Sequence, residues 1–440
     1  MTAAESLAYL RSTVDTATVR TGVKVLAIEP RLPSQALRDR ATPRHAAATF
    51  TSQSLGKTPL PGCAWAAQLS TGETMQFDFV LVATGRYHMP IVPPVLREPL
   101  RRRMREGTAF HTAWFRSARG YEGKTVFVIG GGPSGSDIAA ICARTARDVV
   151  WAAASAQASV DRASLTFNMV LRGRIARIIC GSEKRVSVTW AGDSVHGTRM
   201  WTEDIDADII IIATGYQLIY PFLEPAVIHH EPNAKSTFPF DSTADARLVG
   251  TPTIVLPLSR HLFPLVALPD PTIAFIGLPH KTAPWTVMEA QNRTVARVWE
   301  RTVARRRDPA IPPYMTLAGE REQIVRWYNR LGGSPSAEKL WHLMANELQF
   351  EYRRELAALT GEDIDLRELA LLEEAHLHGH VMRLVWKGIR ERGEEAQWLR
   401  GVGHGTPQQK FDSWISFMRR VYQSADVNTR LAAGIEKSGP

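Results

Sequence analysis

The run Lys124-Thr125-Val126-Phe127-Val128-Ile129-Gly130-Gly131-Gly132-Pro133-Ser134-Gly135-Ser136-Asp137-Ile138-Ala139 constrains the fold more than any other part of the chain. An apolar stretch passes through glycine into helix-compatible sequence, the context that turns a weak glycine pattern into a dinucleotide-binding motif. Thr125 to Ile129 reads as a strand buried on both faces, as in parallel sheets. Gly130 permits the tight turn. Gly132 lets main chain approach a pyrophosphate with no Cβ in the way, and Gly135 lets the helix lie close to the strand. A helix opening near Ser134 would aim its N–H groups and positive dipole end at the anion, with Ser134 available as its cap. The expected binding set is therefore Gly130, Gly131, Gly132, Pro133, Ser134 and Gly135. An ordinary glycine-rich turn is the alternative, and correct flanks on both sides argue against it. A chain built this way borrows its redox chemistry from a cofactor.

The second strand of such a unit reads as Asp148-Val149-Val150-Trp151-Ala152-Ala153, running into Ala154-Ser155-Ala156-Gln157. NAD sites end this strand with an Asp or Glu on the ribose 2′-OH. No acid stands here. A carboxylate would repel a 2′-phosphate, so its absence leans toward NADP, with Ser155 as a candidate contact. The nearest arginine is Arg162.

The chain also echoes itself. Phe77-Asp78-Phe79-Val80-Leu81-Val82-Ala83-Thr84-Gly85-Arg86-Tyr87 is matched by Ala207-Asp208-Ile209-Ile210-Ile211-Ile212-Ala213-Thr214-Gly215-Tyr216. Each copy has an acid, an apolar run, Ala-Thr-Gly and then an aromatic residue. The offset of 130 positions (208 − 78) is far longer than a solenoid repeat. The pattern reads as the closing strands of two nucleotide-binding domains, each ending in a glycine that lets backbone come near a cofactor. Two unrelated buried strands are the alternative.

These elements, in this order, resemble the flavin-containing monooxygenases of the N,N-dimethylaniline and senecionine N-oxygenase type. The family signature Phe-x-Gly-x-x-x-His-x-x-x-Phe/Tyr is met by Gly107, His111 and Phe115, with Arg105 in place of the Phe. Baeyer–Villiger relatives carry Trp at the last position, so Phe115 favours the first group. Pro271 to Leu278 and Glu289-Ala290-Gln291 resemble the later flavin-side segment. The likeness runs from about Ser6 to Arg301. It implies FAD and NADP as cofactors, with Thr214, Gly215 and Tyr216 on the nicotinamide nucleotide and Gly85, Gly277, Leu278 and Gln291 on the flavin side. It implies an NADPH-dependent monooxygenase that uses O2 to oxygenate a small molecule with a nucleophilic nitrogen or sulfur, through a flavin C4a-hydroperoxide. No catalytic side chain is singled out: His111 reads as structural, placed to orient a loop near the nicotinamide.

The family opens with a first Gly-x-Gly-x-x-Gly for FAD, and the sequence as it stands has none. The expected fold is thus α/β: a two-dinucleotide-binding-domain flavoprotein in which a Rossmann-like NADP domain is inserted in an incomplete FAD domain, with a helical C-terminal extension. The expected boundaries are 1–118 and 217–308 for the FAD domain, 119–216 for the NADP domain and 309–440 for the extension. A competing reading is a non-catalytic or truncated remnant that at most binds NADP(H). A thioredoxin-reductase-type enzyme is disfavoured, because no Cys-x-x-Cys is present.

Composition sets the remaining bounds. The chain has 440 residues, enough for two or three domains, and a net charge of +9. Arg101-Arg102-Arg103 and Arg305-Arg306-Arg307 contribute to that charge and read as solvated surface. No nucleic-acid motif accompanies them, and the mild positive field would help attract NADP. No apolar run is long enough to span a bilayer. Cys63, Cys142 and Cys180 form no paired spacing, which fits free thiols in a reducing, cytoplasmic compartment.

Along the rest of the chain, Leu7 to Val19 reads as helix, Val23 to Ile28 as strand and Pro30 to Pro61 as a surface insertion. Trp65 to Leu69 and Met75 to Ala83 read as a hairpin, and Pro90 to Pro99 as an interdomain linker. Leu317 to Leu331 and Ala337 to Leu359 read as helices. Glu373, His376 and His380 share a helical spacing that can ligate metal, but exposed polar helix is the better reading. Oligomeric state is left open.

Overall fold

The computed structural model describes residues 19–30, 65–153, 166–181, 183–191, 200–230, 248–333, 337, 340–345, 347–363 and 366–426. The chain divides into two compact units: an inserted unit of residues 84–237 with 248–256, and a flanking unit of residues 1–83 with 238–247 and 257–440. The first expected helix, but for its last residue Val19, lies outside the described residues, as do almost all of Pro30 to Pro61, Cys63 and Ser155.

The inserted unit is built on a five-stranded sheet in the order Ala109–His111, Ile209–Ile212, Thr125–Ile129, Asp148–Ala152, Met169–Arg172, with every neighbouring pair parallel. Its centre is the strand expected from the glycine-rich run, and all five residues Thr125–Ile129 are buried. Side chains alternate across a strand, so this strand feeds two cores. Phe127 and Ile129 join Ile210, Ile212 and Trp190 on one face, while Val126 and Val128 join Val149, Trp151 and Ile211 on the other. Helix Pro133–Ala143 covers the second face through Ile138, Ala139 and Cys142. A three-stranded antiparallel sheet, Ile175–Cys180, Arg185–Trp190 and Trp201–Asp206, covers the first through Ile178, Val186, Val188, Trp190 and Ile205.

Asp208, the acid that opens the second echo, sets the register where two strands begin. Its carboxylate accepts from the Thr125 N–H at 2.8 Å and its own N–H donates to the Thr125 carbonyl at 2.9 Å. Asp78 in the first echo does something else, pairing with Arg306 at 3.5 Å.

Residues 84–118 belong with the nucleotide sheet, whereas the sequence placed that unit's start at 119. The reason is physical: strand Ala109–His111 adds to the edge beside Ile209–Ile212. The stretch Pro90 to Pro99, read as a linker, is also integral. Met89–Pro90 pairs with Tyr216–Gln217, Pro94–Arg97 is a short helix started by proline, and Leu96 and Leu100 are buried in the core. Arg103 departs from the solvated reading as well. It is 2% exposed and donates to the Thr108 hydroxyl at 2.7 Å and to the Ala207 and Asp208 carbonyls at 2.8 and 3.0 Å. Burial pushes its guanidinium down from the usual range.

In the flanking unit, Val25–Pro30, Trp65–Leu69 and Thr74–Phe77 form an antiparallel sheet whose hairpin turns at Gly72 with φ +85°. The hairpin's second arm is shorter than expected. Val80–Val82 leaves it and pairs in parallel with Ile273–Phe275. Helices Pro284–Arg307, Leu317–Arg330 and Leu348–Thr360 follow. Ala337 to Leu359 is not one helix, because His280 pairs across Trp341–Met344: its N–H donates to the His342 carbonyl at 2.9 Å and its carbonyl accepts from Met344 at 3.1 Å. Arg305, from the second basic cluster, is a brace rather than a solvated side chain, holding Asp270 at 2.8 Å. Glu373 pairs with Arg354, His376 packs on Phe350, and the helix ends at Leu377, so His380 lies on the next helix. Among the described residues no group of three or more His, Cys, Asp or Glu could hold a metal ion, and no helix is long and apolar enough to cross a membrane.

Candidate dinucleotide-binding site

Gly130 follows the last residue of the central strand and adopts φ +136°, a conformation that L side chains rarely take. Its N–H donates to the Ala152 carbonyl at 2.8 Å, and its own carbonyl accepts from the Trp151 indole at 2.8 Å. A Cβ at Gly130 would lie 2.1 Å from the Ala213 carbonyl oxygen, and one at Gly135 would lie 2.0 Å from the Gly130 oxygen. Both glycines are therefore required by the protein's own packing. Gly132 differs: a Cβ there would meet nothing within 4 Å.

Gly132 is the N-cap of helix Pro133–Ala143, and Pro133 is the first helical residue. No side chain caps this helix and no acid stands in its first turn. Ser134, expected as a cap, lies one position inside the helix and is exposed. Pro133 has no N–H and Ser136 donates to the Gly132 carbonyl at 3.1 Å, so the Ser134 and Gly135 N–H groups are left to solvent or ligand at the positive end of a helix dipole. This fits an anionic pyrophosphate.

Sheet topology puts the cradle where a ligand is expected. From Thr125–Ile129 the chain steps outward to Asp148–Ala152 and Met169–Arg172, then returns to the opposite side as Ile209–Ile212. The order reverses between the central strand and Ile209–Ile212, and in open α/β sheets ligands bind at the carboxyl ends beside that point. Thr214, Gly215 and Tyr216 stand there, on the neighbouring strand's exit. Gly215 turns at φ +90° and its carbonyl accepts twice, from the Ile91 N–H at 2.9 Å and from His111 Nε2 at 3.0 Å. The Thr214 hydroxyl donates to the Ile91 carbonyl.

His111 is fully buried, and its Nδ1 accepts from the Ala113 N–H at 3.1 Å. That bond leaves Nε2 as the protonated donor to Gly215. Burial pushes the imidazole below its ordinary range, against the Gly215 carbonyl that favours the cation. The family-type residues around it form one brace: Gly107 turns the chain at φ +73° into strand Ala109–His111, and Phe115 packs on the helix-side core. Gly85 is exposed at φ +73° in the same unit, two residues before Tyr87, whose ring meets that of Tyr216 at 5.5 Å. Trp151, Tyr87 and Trp114 were not singled out from the sequence. Only the position of Trp151 in the strand beside the glycine turn hinted at its role.

Of the flavin-side candidates, Gly85 lies in the inserted unit, and Gly277, Leu278 and Gln291 lie in the flanking unit. Gly277 turns at φ +75°, and its N–H donates to Gln291 Oε1 at 2.9 Å. Gln291 is 0% exposed, its Nε2 donates to the Tyr352 hydroxyl at 2.9 Å, and that hydroxyl donates to the Arg260 carbonyl at 2.7 Å. Leu278 is buried. Gln291 thus holds the turn from behind rather than facing a ligand. Gly277 keeps one accessible flank, where a Cβ would meet only the Met288 sulfur at 3.4 Å. Backbone approach to a flavin fits at Gly277, while a side-chain contact from Gln291 does not. Among the described residues the strand–glycine–helix cradle of the inserted unit has no second copy.

Known proteins agree with this architecture. Residues 69–243 match the pyridine nucleotide-disulphide oxidoreductase family. The chain is 26% identical over 238 residues to flavin-containing monooxygenase ustF2 of Aspergillus flavus, covering 52% of this chain and 44% of that protein. It is 26% identical over 285 residues to flavin-containing monooxygenase FMO GS-OX-like 2 of Arabidopsis thaliana, covering 64% and 50%. It is 28% identical over 223 residues to the thiol-specific monooxygenase of Saccharomyces cerevisiae, covering 51% and 45%. The chain thus spans about half the length of the curated relatives it matches. In fold it is similar to S-allyl-L-cysteine S-oxygenase from Allium sativum, with TM-score 0.56 at 19% identity over 96% of this chain and 76% of that one. Taken with the strand order and the glycine cradle, these matches support a relationship to the flavin-containing monooxygenases, and the fold is the α/β fold of two-dinucleotide-binding flavoproteins with a helical C-terminal part.

Proposed function

We propose that this protein is an FAD- and NADPH-dependent monooxygenase that uses O2 to oxygenate a small molecule bearing a nucleophilic nitrogen or sulfur. The observation that carries the reading is the uncapped, acid-free start of helix Pro133–Ala143, with open space at Gly132. When bound, the nicotinamide coenzyme supplies a hydride and the flavin supplies the ring that activates oxygen. The chain's own part is to bind and orient. Gly131 and Gly132 bring bare main chain to the pyrophosphate, and the first helical turn directs N–H groups at it. Thr214 and His111 fix the Gly215 turn beside the cradle from two sides, through Ile91 and through the Gly215 carbonyl. Cys142 and Cys180 are free thiols, which supports a reducing, cytoplasmic setting. Relatives with sulfur-directed names, the thiol-specific monooxygenase and the S-allyl-L-cysteine S-oxygenase, support sulfur as the nucleophile.

A second reading is a protein that binds NADP(H) without turnover. One observation favours it: the described residues hold one phosphate cradle, and it lies in the inserted unit. A visible spectrum of the purified protein, followed by NADPH oxidation with a thioether and with a tertiary amine, separates the two. Flavin bands near one per chain with substrate-dependent NADPH consumption support the monooxygenase. A colourless protein that binds NADPH and never consumes it replaces that reading with the second.

A further inference from the structure

We propose that Trp114, assisted by Tyr87, is the stacking platform for the nicotinamide ring of the dinucleotide held on the Gly130–Gly135 loop. This rests on the reading of that loop as a dinucleotide cradle and names the residues that take the coenzyme's other end. Trp is highly buried on average and Tyr intermediate. Here Trp114 is 60% exposed and Tyr87 is 68% exposed. Both belong to one aromatic cluster in the inserted unit. His111 lies at its centre, with Tyr216 at 4.9 Å and 84° and Trp114 at 6.4 Å and 88°, and Tyr87 meets Tyr216 at 5.5 Å and 69°. Edge-to-face contacts of this kind fix each ring through its neighbours while leaving ring faces available. The Arg86 guanidinium lies over the Tyr87 ring at 5.9 Å, so that ring already carries a cation, and Trp114 is assigned the main role.

The cluster sits in the right place for a coenzyme. His111 ends the strand Ala109–His111, and that strand is two places from Thr125–Ile129, with Ile209–Ile212 between them. All three strands are parallel, so the cluster and the cradle share the carboxyl edge of the sheet. Two strand spacings amount to about 10 Å, a separation that a ribose and its base can span from a pyrophosphate. Asp148–Ala152, on the opposite side of the cradle, takes the adenosine half. A planar nicotinamide that carries positive charge when oxidised is suited to the face of an indole.

Isothermal titration of the whole protein tests this with two probes: NADP+, and 2′-phospho-ADP-ribose, which keeps the pyrophosphate, the 2′-phosphate and the adenosine half but lacks the nicotinamide. For Trp114→Ala we expect NADP+ to bind about tenfold more weakly, from the loss of one stacked ring, with the fragment's affinity unchanged. Trp114→Phe should recover most of the loss. Equal weakening of both probes, or no change in either, overturns the platform while leaving the cradle in place. Failure of the unsubstituted protein to bind either probe overturns the cradle itself, and the platform with it.

Discussion

At Gly132 the backbone bends with open space beside it and no side chain completing its hydrogen bonds, whereas at Gly277 the bend is closed from behind by Gln291. Both turns leave the end of an apolar strand in a parallel pairing, and both look alike in sequence. The difference lies in what the protein has already used. In the inserted unit, packing consumes Gly130 and Gly135 and leaves Gly132 unspent. In the flanking unit, the Gly277 N–H, the Gln291 amide and the Tyr352 hydroxyl satisfy one another in a buried series that ends on the Arg260 carbonyl. A glycine turn offers its own hydrogen bonds to a ligand only where its polar groups are still unmet.

The largest effect should come from the glycines that packing needs. Gly135→Ala puts a Cβ 2.0 Å from the Gly130 oxygen, a contact that only backbone movement relieves. We expect a loss of about 3 kcal/mol or more in chemical denaturation, or failure to fold. Gly132→Val is the counterpart. Its φ of −79° and empty surroundings accept a side chain, so thermal stability should hold while the β-branched group blocks the phosphates. NADPH affinity should fall by about a hundredfold or more, roughly 3 kcal/mol. Wild-type affinity in that variant would remove Gly132 from the site.

The closed turn is probed from its far end. Tyr352→Phe deletes a hydroxyl that accepts from Gln291 and donates to the Arg260 carbonyl, at a residue 4% exposed. Leaving a buried amide N–H and a carbonyl unmet should cost about 2 to 3 kcal/mol. Unfolding should lose that stability while NADPH affinity, set in the other unit, stays within about twofold of wild type. A parallel fall in affinity would mean the two turns are not independent.

The sequence made the open turn legible because its physics is local. A buried strand, three glycines with distinct steric tasks and an acid-free helix start all lie within sixteen residues. The Ala-Thr-Gly echoes were also local, and both end in left-handed glycines. What stayed hidden depends on long-range packing. Arg103 read as one of three solvated arginines, yet carbonyls about 104 positions away bury it. Gln291 read as a flavin contact because its neighbours resemble the family's, while its partner Tyr352 lies 61 positions further on, in a region with no such resemblance. Pro90 to Pro99 read as a linker because proline discourages regular structure. Here proline starts a helix, where its missing N–H costs nothing, and Leu96 and Leu100 anchor the segment. Ala337 to Leu359 has helical spacing throughout, but a main-chain bridge to His280 claims its first half.

The smallest effect we argue concerns acid, and it sharpens the contrast between the units. His261 is the residue after Arg260, where the buried series ends, and both adopt left-handed backbone with φ +54° and +51°. Its Nδ1 lies 3.1 Å from His342 Nδ1, with Trp327, Trp341 and Tyr352 around the ring. Burial, with a smaller contribution from the Arg260 cation, pushes its pKa down from 6.5 to about 3. The folded state therefore holds the ring neutral while the unfolded chain binds a proton below pH 6.5. Stability is present in full above that value and falls as pH drops toward 3. Between pH 7 and 5 this one residue should cost about 2 kcal/mol. His261→Asn keeps a residue that tolerates the left-handed backbone and removes the titration. Urea unfolding at pH 7 and pH 5 should therefore show a pH-dependent loss about 2 kcal/mol smaller in the variant than in wild type. An identical loss in both proteins would show that the ring is not held neutral by the fold, and the closed turn would lose its claim to be the acid-sensitive half of the comparison.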